Sequence, residues 1–485
     1  MNYSQFLHMI PEATLVVILI LVFFADLLCS RDREAKAKTL SVLVSLLLCA
    51  QLVTCALAVP TTAFGGLYVV SQAANVMKLI LTAGTLIVVV MAQPWLKNEG
   101  GNRIGEFYEL ILSTLLGMFM MVSSGNFLMF FLGLEMASVP MACLVAIDKW
   151  KKDSAEAGAK YILTATFSSG VMLYGISFIY GATGTLYFDD VMQRIAYFAQ
   201  FKSQLPLLLA GLVFFFSGLG FKLSLVPFHF WTADTYQGAP TPVTGYLSVC
   251  SKGAAAFALM VILMKAFAPL TMYWEYLLYV VIILSITIAN LFAIRQSELK
   301  RFMAFSSISQ AGYIMLAVIG SSQTGMASLM YYVLVYVVAN MAVFTVISAV
   351  EQNNGGTTMM SSYNGLYQTN PKLSFLMTLA LFSLAGIPPF AGMFSKFFVF
   401  MAAAQQGSFW AYFVVFIALI NTVVSLYYYL LIVKAMYIKT SDSPLPAFRT
   451  DTNTRIALAV CTAGIVLFGI CSCIYDWLFA ASANI

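Results

Sequence analysis

The chain has 485 residues, of which 61% are hydrophobic and only 9% are charged. Soluble globular chains average roughly 45–50% hydrophobic and about 25% charged residues, so this chain has too few charges to cover a water-soluble particle. This composition excludes a soluble enzyme, a nucleic-acid-binding protein and a disulfide-stapled secreted module. The net charge of +5 says little as a total, whereas the positions of the charged residues along the chain are informative.

Fourteen apolar runs, each long enough to span a bilayer with about 20 residues, follow one another along the chain. The predicted helices 1 to 14 cover residues 13–30, 39–59, 73–96, 107–123, 127–147, 160–182, 207–231, 243–268, 271–295, 303–321, 325–350, 374–402, 409–436 and 456–480. The first run is not a cleavable signal peptide, because no Lys or Arg precedes it and the charged segment 31–38 follows it. The sequence therefore predicts an all-α polytopic membrane protein.

The basic residues in the connections assign the two sides of the membrane. Of the 25 Lys and Arg residues, eighteen, including Arg31, lie in odd-numbered connections, and only Arg194, Lys202 and Lys265 lie in even-numbered ones. The odd connections are therefore expected to face the cytoplasm. We expect a chain in the inner (plasma) membrane of a bacterial cell with both termini on the outer side.

Four lysines remain, and all of them lie inside predicted helices. They are Lys78, Lys222, Lys252 and Lys396. An ionisable side chain at mid-bilayer costs about 2.5–3.5 kcal/mol on the mildest scale and by default marks an ion or proton path. Lys78, about six residues into helix 3, is a possible relay residue, but it can also extend outward to water, so its replacement by alanine is expected to change little.

Two acidic residues also lie within helices. Glu135 is near the middle of helix 5, whereas Asp26 is near the cytoplasmic end of helix 1 and within reach of the interface. Glu135 and the lysines of helices 7, 8 and 12 are too deep to reach water easily. These four are the strongest candidates for function.

Predicted helices 7 and 12 are interrupted by proline. In helix 7, Lys222 precedes Pro227 and His229, and in helix 12, Pro388 and Pro389 precede the lysine. Proline breaks the helical hydrogen-bond ladder, and irregular backbone at membrane depth is tolerated where it lines a wet cavity. Because the two broken helices run in opposite senses, an inverted repeat of helices 4–8 and 9–13 is predicted.

The predicted units follow from that repeat. An N-terminal three-helix segment precedes two half-channel repeats, and helix 14 closes the chain. Their bounds are 1–105, 106–268, 269–438 and 439–485.

Buried lysines can serve as proton carriers only if their affinity for a proton can change. Burial disfavours the charged form of an amine, and a nearby carboxylate favours it. Glu135 and Lys222 can therefore form a switch in which the pair holds the proton and separation releases it, with Lys252 and Lys396 carrying it onward. Uncharged polar residues at membrane depth can order water between them: Ser306, Ser307, Ser309 and Gln310 on helix 10, Asn340 on helix 11 and Asn421 on helix 13. For His229 a structural hydrogen bond and a proton-shuttling role remain equally open.

The sequence shows no cofactor motif. The eight cysteines do not have the spacing of a disulfide framework or metal site, and only two histidines are present. No phosphate-binding or dinucleotide-binding glycine motif occurs, so the chain is expected to hold no cofactor or metal.

Several segments, taken together, resemble the antiporter-like subunit N family of NADH:quinone oxidoreductase (respiratory complex I). They are Phe131–Pro140, Gly220–Pro240, Ser251-Lys252, Lys300–Ser309, Ala385–Pro388 and Lys396-Phe397. The resemblance covers nearly the whole chain. Its most specific part is the run from Pro227 to Pro240, because the sister subunits differ after Trp231.

The resemblance implies a fourteen-helix, proton-pumping, translocase-class subunit of the membrane arm. It assigns the pump residues to Glu135, Lys222, Lys252 and Lys396. NADH, FMN, iron–sulfur clusters and quinone would be bound by partner subunits, and sister antiporter-like and small membrane subunits would be the neighbours. Ala233 stands where the family usually has proline.

Gln310 stands where many relatives have histidine. Glutamine cannot titrate, so a relay at this position would have to pass through water. Two other interpretations stay open: a subunit of a multisubunit cation/proton antiporter, and a passive scaffold of the membrane arm. The four deep charges argue against the scaffold.

Overall fold

The architecture was described from a computed structural model. The residues that the structure describes are 3–29, 32–99, 103–201, 204–440 and 444–483. Two of the basic residues used above to orient the chain, Arg31 and Lys202, lie outside these ranges.

The prediction of about fourteen membrane-spanning helices is confirmed. Within the described ranges, thirteen helices are long and apolar enough to cross a bilayer, and two shorter apolar helices, Pro371–Ala385 and Ala391–Ala404, follow one another where helix 12 is predicted. The first six helices are α1 (Ile10–Leu28), α2 (Arg33–Leu57), α3 (Gln72–Asn98), α4 (Ile104–Val122), α5 (Phe127–Val145) and α6 (Lys152–Thr183). A short antiparallel hairpin, β1 (Thr61–Ala63) and β2 (Tyr68–Val70), connects α2 to α3.

The second part of the chain contains the interrupted helices. Its elements are α7 (Phe188–Phe201), α8 (Leu205–Leu223), α9 (Phe230–Gly238), α10 (Thr241–Tyr246), α11 (Lys252–Lys265), α12 (Thr271–Ile294), α13 (Leu299–Ile319), α14 (Gln323–Asn353), α15 (Leu366–Thr369), α16 (Pro371–Ala385), α17 (Ala391–Ala404), α18 (Phe409–Tyr437), α19 (Thr452–Ile470) and α20 (Cys473–Ala481). Helix α7 and the β-hairpin lie in segments that the hydropathy pattern treats as plain connections, because neither contains an apolar run of spanning length.

The predicted breaks in helices 7 and 12 are present and have the same backbone pattern. Ser224 follows α8 in the left-handed region (φ +62°), and Gly386 does so after α16 (φ +89°). The next amide in each case bonds five residues back, Leu225 to Gly220 at 2.8 Å and Ile387 to Phe382 at 3.0 Å. This is the usual hydrogen bonding of a helix end that turns through a left-handed residue. The full inverted repeat and the predicted unit boundaries stay predictions.

Predicted helix 8 contains an irregularity that the sequence does not reveal. Between α10 and α11, residues Leu247–Ser251 form a π-helical turn that ends immediately before Lys252. Single π turns within α-helices are rare and are often found at functional sites.

The helices that carry most of the candidate polar residues, α13 and α14, form the centre of the protein. Helices α13 and α14 are almost wholly buried, whereas fewer than a third of the residues in the apolar parts of α1 and α18 are buried. An apolar side chain exposed on an outer helix faces lipid at no cost, so only the central helices require partners for their polar groups. The deep serines, glutamine and asparagine are therefore in the protein interior.

Candidate functional site

Lys222 lies in the last turn of α8, just before the first break, and is only 4% exposed. Its Nζ donates to Ser138 Oγ at 2.8 Å and to Tyr161 Oη at 3.4 Å. Glu135 is one helical turn before Ser138 on α5, and its Oε1 is buried with no hydrogen-bond partner. The amine therefore rests on neutral oxygens, with a carboxylate on the adjacent turn of the same helix.

Lys252 is the first residue of α11, directly after the π turn, and is 1% exposed. Its Nζ donates to Ser307 Oγ at 2.6 Å and lies 5.5 Å from the centre of the Tyr236 ring. The Tyr236 hydroxyl and Ser307 are within 3.2 Å of each other. Lys252, Ser307 and Tyr236 thus form one hydrogen-bonded group that joins α11, α13 and α9.

Aromatic side chains fill the space between these first two lysines. The Tyr161 ring centre is 5.1 Å from that of Trp231, and Trp231 is 6.4 Å from Tyr236. The Trp231 indole donates to the Phe221 carbonyl across the break at 3.1 Å. His229 is 8% exposed within the break, and its ring is tilted by 31° against that of Phe230 at 4.5 Å. Its Nδ1 is buried and unpartnered, so both of its interpretations stay open.

A second hydrogen-bonded group continues along α13. Ser306 Oγ and Tyr429 Oη are 2.5 Å apart, and the Gln310 amide donates to Tyr429 at 3.2 Å and to the Leu384 carbonyl at 3.2 Å. Tyr332 Oη donates to the Gln310 carbonyl oxygen. Since Ser306 and Ser307 are consecutive, this group begins where the Lys252 group ends.

Lys396 lies in α17, after the second break, and is 4% exposed. Its Nζ donates to the Ala385 carbonyl at 2.8 Å and lies 5.0 Å from the Tyr313 ring centre. Ala385 is the last residue of α16, so this carbonyl has no partner within its own helix and belongs to the negative end of the helix dipole. The break therefore supplies the acceptor that holds the lysine.

A small cavity of about 10 Å³ connects Gln310 with Lys396. Tyr332 and Tyr336 also line it, and the Tyr336 hydroxyl is buried without a hydrogen-bond partner. A cavity of this size holds about one water molecule. The remaining predicted polar residues are buried nearby: Asn340 bonds Ser248 at 2.6 Å, Asn421 bonds Asn290 at 3.0 Å, and the Ser309 hydroxyl is unpartnered.

The expectation that Lys78 extends outward to water is wrong. Its side chain is 0% exposed, and its Nζ lies 2.7 Å from Glu12 Oε1, which is itself buried. Tyr68 donates to the other carboxylate oxygen at 2.8 Å, and Ser123 donates to Oε1 at 3.4 Å. Lys78 stays inside because helix α1 begins at Ile10 and brings a carboxylate to it.

Glu12 is the residue that the hydropathy analysis missed. It precedes predicted helix 1 by one position, so it was counted outside the membrane helices. A proline at the start of a helix, here Pro11, favours an earlier helix start and was the available signal. Asp26, in contrast, pairs with Lys36 at 2.7 Å and is 24% exposed, as expected for an interfacial residue.

Charged residues also meet at the end of α9, outside the apolar spans. Asp234 accepts from Lys160 and from Arg301, both at 2.7 Å, and Arg301 also donates to Gln237 at 3.0 Å. Partial burial raises the pKa of Asp234, but the hydrogen bonds and charges of Lys160 and Arg301 outweigh it, so the pKa lies below its usual value. These contacts join α6, α9 and α13 around the first break.

Two large cavities open at opposite ends of the protein. One, of about 730 Å³, lies among odd-numbered connections, and Lys300 and Glu351, whose Nζ and Oε1 are 3.6 Å apart, line it. The other, of about 1040 Å³, lies among even-numbered connections and contains Asp189 and Asp190. Among the described residues no group of three or more His, Cys, Asp or Glu side chains is placed to hold a metal ion.

Comparison with known proteins gives consistent matches over the whole chain. The family described as NADH:quinone oxidoreductase/Mrp antiporter, TM, matches residues 124–424. A relative from Phocaeicola vulgatus named NADH-quinone oxidoreductase subunit N is 58% identical over 479 residues, which are 99% of each chain.

Two solved structures share the fold. A chain of respiratory complex I from Thermus thermophilus with bound aureothin is 30% identical with a TM-score of 0.78, covering 95% of this chain and 97% of that one. A chain of the Mrp complex from Dietzia sp. has a TM-score of 0.80 at 21% identity, covering 100% and 98%, a likeness of fold alone.

Proposed function

Because the chain belongs to the family of antiporter-like membrane subunits of NADH:quinone oxidoreductase and Mrp antiporters, we propose that it moves protons from the cytoplasm to the outer side of a bacterial plasma membrane. Quinone reduction in other subunits would drive this transport. Both termini would lie on the outer side. The redox cofactors would be held by partner subunits, with sister antiporter-like subunits as neighbours.

The observation that carries the proposal is the succession of three buried lysines, each held by neutral groups. Lys222, Lys252 and Lys396 bond to hydroxyl and carbonyl oxygens rather than to carboxylates. A buried ammonium with neutral partners is costly, because those partners replace only part of its hydration. Such an amine can therefore lose its proton at a modest cost in free energy, as a carrier must.

Glu135 supplies the controlling charge. Ser138, which now holds the Lys222 amine, is three residues from Glu135 on α5, and side chains at that spacing are about 5–6 Å apart. Moving the amine from the hydroxyl to the carboxylate would strengthen its hold on the proton. A change of 3 units in the pKa of a lysine corresponds to about 4 kcal/mol, which is comparable to the energy of moving one charge through about 180 mV.

The polar groups of α13 support the onward step. Ser307 contacts Lys252, Ser306 begins the second group, and Gln310 ends it at the one-water cavity beside Lys396. Since glutamine does not titrate, the proton would pass Gln310 through water in that cavity. This is the step in which hydration matters most.

The cavity lined by Lys300 and Glu351 is a reasonable site for proton uptake. It lies on the predicted cytoplasmic side and includes Thr241, the first residue of α10. Along the same interrupted helix, Lys252 is eleven residues further, about 16 Å at 1.5 Å per residue. Thr244 and Ser248 are buried polar residues on that stretch.

The rival function is cation/proton exchange, which shares this fold. The likeness to the Mrp complex extends to the fold but not to a specific site. The 58% identity to a subunit N over almost the whole chain favours the redox-driven pump. Measuring cation movement alongside proton movement separates the two.

The decisive test replaces Lys222 in the intact membrane complex. Lys222→Ala and Lys222→Arg should both leave quinone reduction and co-purification largely intact. They should lower the rate of proton transfer through this chain by about 100-fold, the low end of what a positioned acid–base group contributes, and so reduce the protons pumped per electron. Arginine keeps the charge but does not release its proton, so a purely electrostatic or scaffolding role would be rescued by it. Lys149→Ala, at an exposed position, is the matched control, and Lys396→Ala should behave like Lys222→Ala.

Unimpaired pumping in Lys222→Arg would refute the proton-carrier role. Pumping that depends on Na⁺ or K⁺ in exchange for protons, without redox partners, would instead favour the antiporter. Loss of the whole complex in Lys222→Ala, Lys222→Arg and Lys396→Ala would favour the scaffold.

A further inference from the structure

A cavity of about 1010 Å³ lies between the beginnings of α16 and α19, away from the lysine succession. Three basic side chains line it: Lys372, Arg449 and Arg455. No acidic residue of the described chain is in its lining. All three cations are exposed, and neither Lys372 nor Arg449 makes an ion pair or hydrogen bond within the described structure.

The position of this cavity relative to the membrane is set by the two helices. Both begin here and then enter apolar spans, so their N-terminal ends, where backbone amides and the helix dipole favour anions, meet at the cavity. Lys372 is in the first turn of α16 and Arg455 in the first turn of α19. The cations therefore mark the membrane–water boundary on one side of the protein.

The segment that carries Arg449 is fixed in place. The Asn370 side chain, just before α16, donates to the Pro446 carbonyl at 3.2 Å and accepts from the Phe448 amide at 3.2 Å. Arg455 donates to Thr450 at 3.2 Å. The arrangement of the basic end is thus supported by hydrogen bonds on both sides of Arg449.

Beyond the cations the lining becomes apolar and continues into the span. Leu376 on α16 and Leu458, Ala459 and Ala463 on α19 form its walls. Thr462 lies there too, with a buried hydroxyl oxygen that has no hydrogen-bond partner. It is seven residues beyond Arg455, about 10 Å deeper along the helix.

We propose that this groove binds one anionic phospholipid, with its phosphate among Lys372, Arg449 and Arg455 and an acyl chain along α16 and α19. Basic pockets between membrane helices on the cytoplasmic side are typical sites for anionic headgroups. The cavity is at the top of the range of about 300–1,000 Å³ for pockets that enclose drug-sized ligands. A free phosphate ion would leave its apolar part unfilled.

The test measures lipid retained by the full-length chain. The chain is delipidated in detergent, titrated with phosphatidylglycerol or phosphatidylcholine, and analysed by native mass spectrometry. The wild type should retain one phosphatidylglycerol in preference to phosphatidylcholine. Replacing Lys372, Arg449 and Arg455 together by glutamine should weaken that binding about 100-fold, given the usual attraction of an interfacial cation for anionic lipid.

A matched triple variant controls for general loss of charge. Lys38, Lys149 and Lys152 are exposed and lie in odd-numbered connections as well, and their replacement by glutamine should leave retention within about twofold of the wild type, since surface attraction to lipid is local. A second variant, Ala459→Trp, keeps all cations and fills the groove. It should also reduce retention, which keeps the proposal testable if the triple variant folds poorly.

Four results would overturn the proposal: equal retention of both lipids, undiminished retention in the triple variant, equal loss in the control triple, or unchanged retention in Ala459→Trp. Displacement of the lipid by millimolar inorganic phosphate would assign the cations to the free ion instead. None of these measurements involves proton pumping, so their outcome is independent of the proposed transport function.

Discussion

Replacement of Lys78 by alanine is predicted to destabilise the protein strongly, because it leaves a carboxylate buried without its counter-charge. The Glu12 side chain is 3% exposed and keeps only Tyr68 and Ser123 as donors once the 2.7 Å ion pair is lost. Breaking a buried ion pair by removing one partner costs about 3–5 kcal/mol. The carboxyl group can limit this loss by binding a proton, which costs about 1.4 kcal/mol for each pH unit above 4.3, or about 3.7 kcal/mol at pH 7.

The Glu12 carboxylate of the variant can stay ionised and unpaired or can bind a proton, and the cost of binding a proton depends on pH. In Lys78→Ala the loss in free energy of unfolding should be about 3–4 kcal/mol at pH 7 and should shrink by roughly 1.4 kcal/mol per unit as the pH falls towards 5. The double variant Glu12→Gln/Lys78→Met removes both charges and should be closer to the wild type than Lys78→Ala. Detergent titration of the unfolding equilibrium in mixed micelles at several pH values measures all three.

Two results would refute this reasoning. One is a Lys78→Ala penalty below 1 kcal/mol at pH 7, which would mean that the pair is solvated in the protein as it exists. The other is a penalty that stays constant between pH 8 and 5, which would mean that lost packing, and not an unpaired charge, causes the loss. Lys149→Ala, at an exposed position, provides the baseline.

Two further substitutions test the framework of the candidate site. A side chain at Gly392 would place its Cβ 1.7 Å from the Ser383 carbonyl oxygen across the second break, so Gly392→Ala should lower the free energy of unfolding by at least about 1–3 kcal/mol, as overpacking does. The control Gly170→Ala, in open space on α6, should leave the free energy of unfolding unchanged. Equal effects of the two substitutions in thermal unfolding would contradict the close approach at Gly392. Because the pKa of Asp234 lies below its usual value, its contribution to stability is present above the unfolded value of about 3.9 and is lost as the pH falls through the lower folded value. Asp234→Asn should therefore flatten the acid limb of a plot of stability against pH, and an unchanged acid limb would show that this carboxylate is not linked to folding.

The helices were predictable because hydropathy acts on long segments. An apolar run such as that of α12 has no stable position other than the bilayer or the protein core, whatever the rest of the chain does. The breaks at Pro227 and Pro388 were predictable for an equally local reason, since proline removes a hydrogen bond from its own helix. The family resemblance in these segments is confirmed by the matches to subunit N relatives.

The partners of the buried charges were not predictable in the same way. Glu12 and Lys78 are 66 positions apart in sequence, and only the packing of α1 against the hairpin and α4 brings them together. The Ala385 carbonyl that holds Lys396 is a backbone atom, which no pattern of side chains reveals. The roles of Glu135, Lys222, Lys252 and Lys396 in transport stay predictions.

The π turn before Lys252 affects more than its own five residues. Each residue of an α-helix rotates the following side chains by about 100°, and a π turn accommodates one residue beyond the regular count. The direction in which Lys252 points is therefore set by the wide turn at Leu247–Ser251, and a helical wheel drawn from Thr241 would assign the lysine to the wrong face. Shortening that turn by a single residue would rotate the whole of α11, from Lys252 to Lys265, away from the neighbours that it now touches.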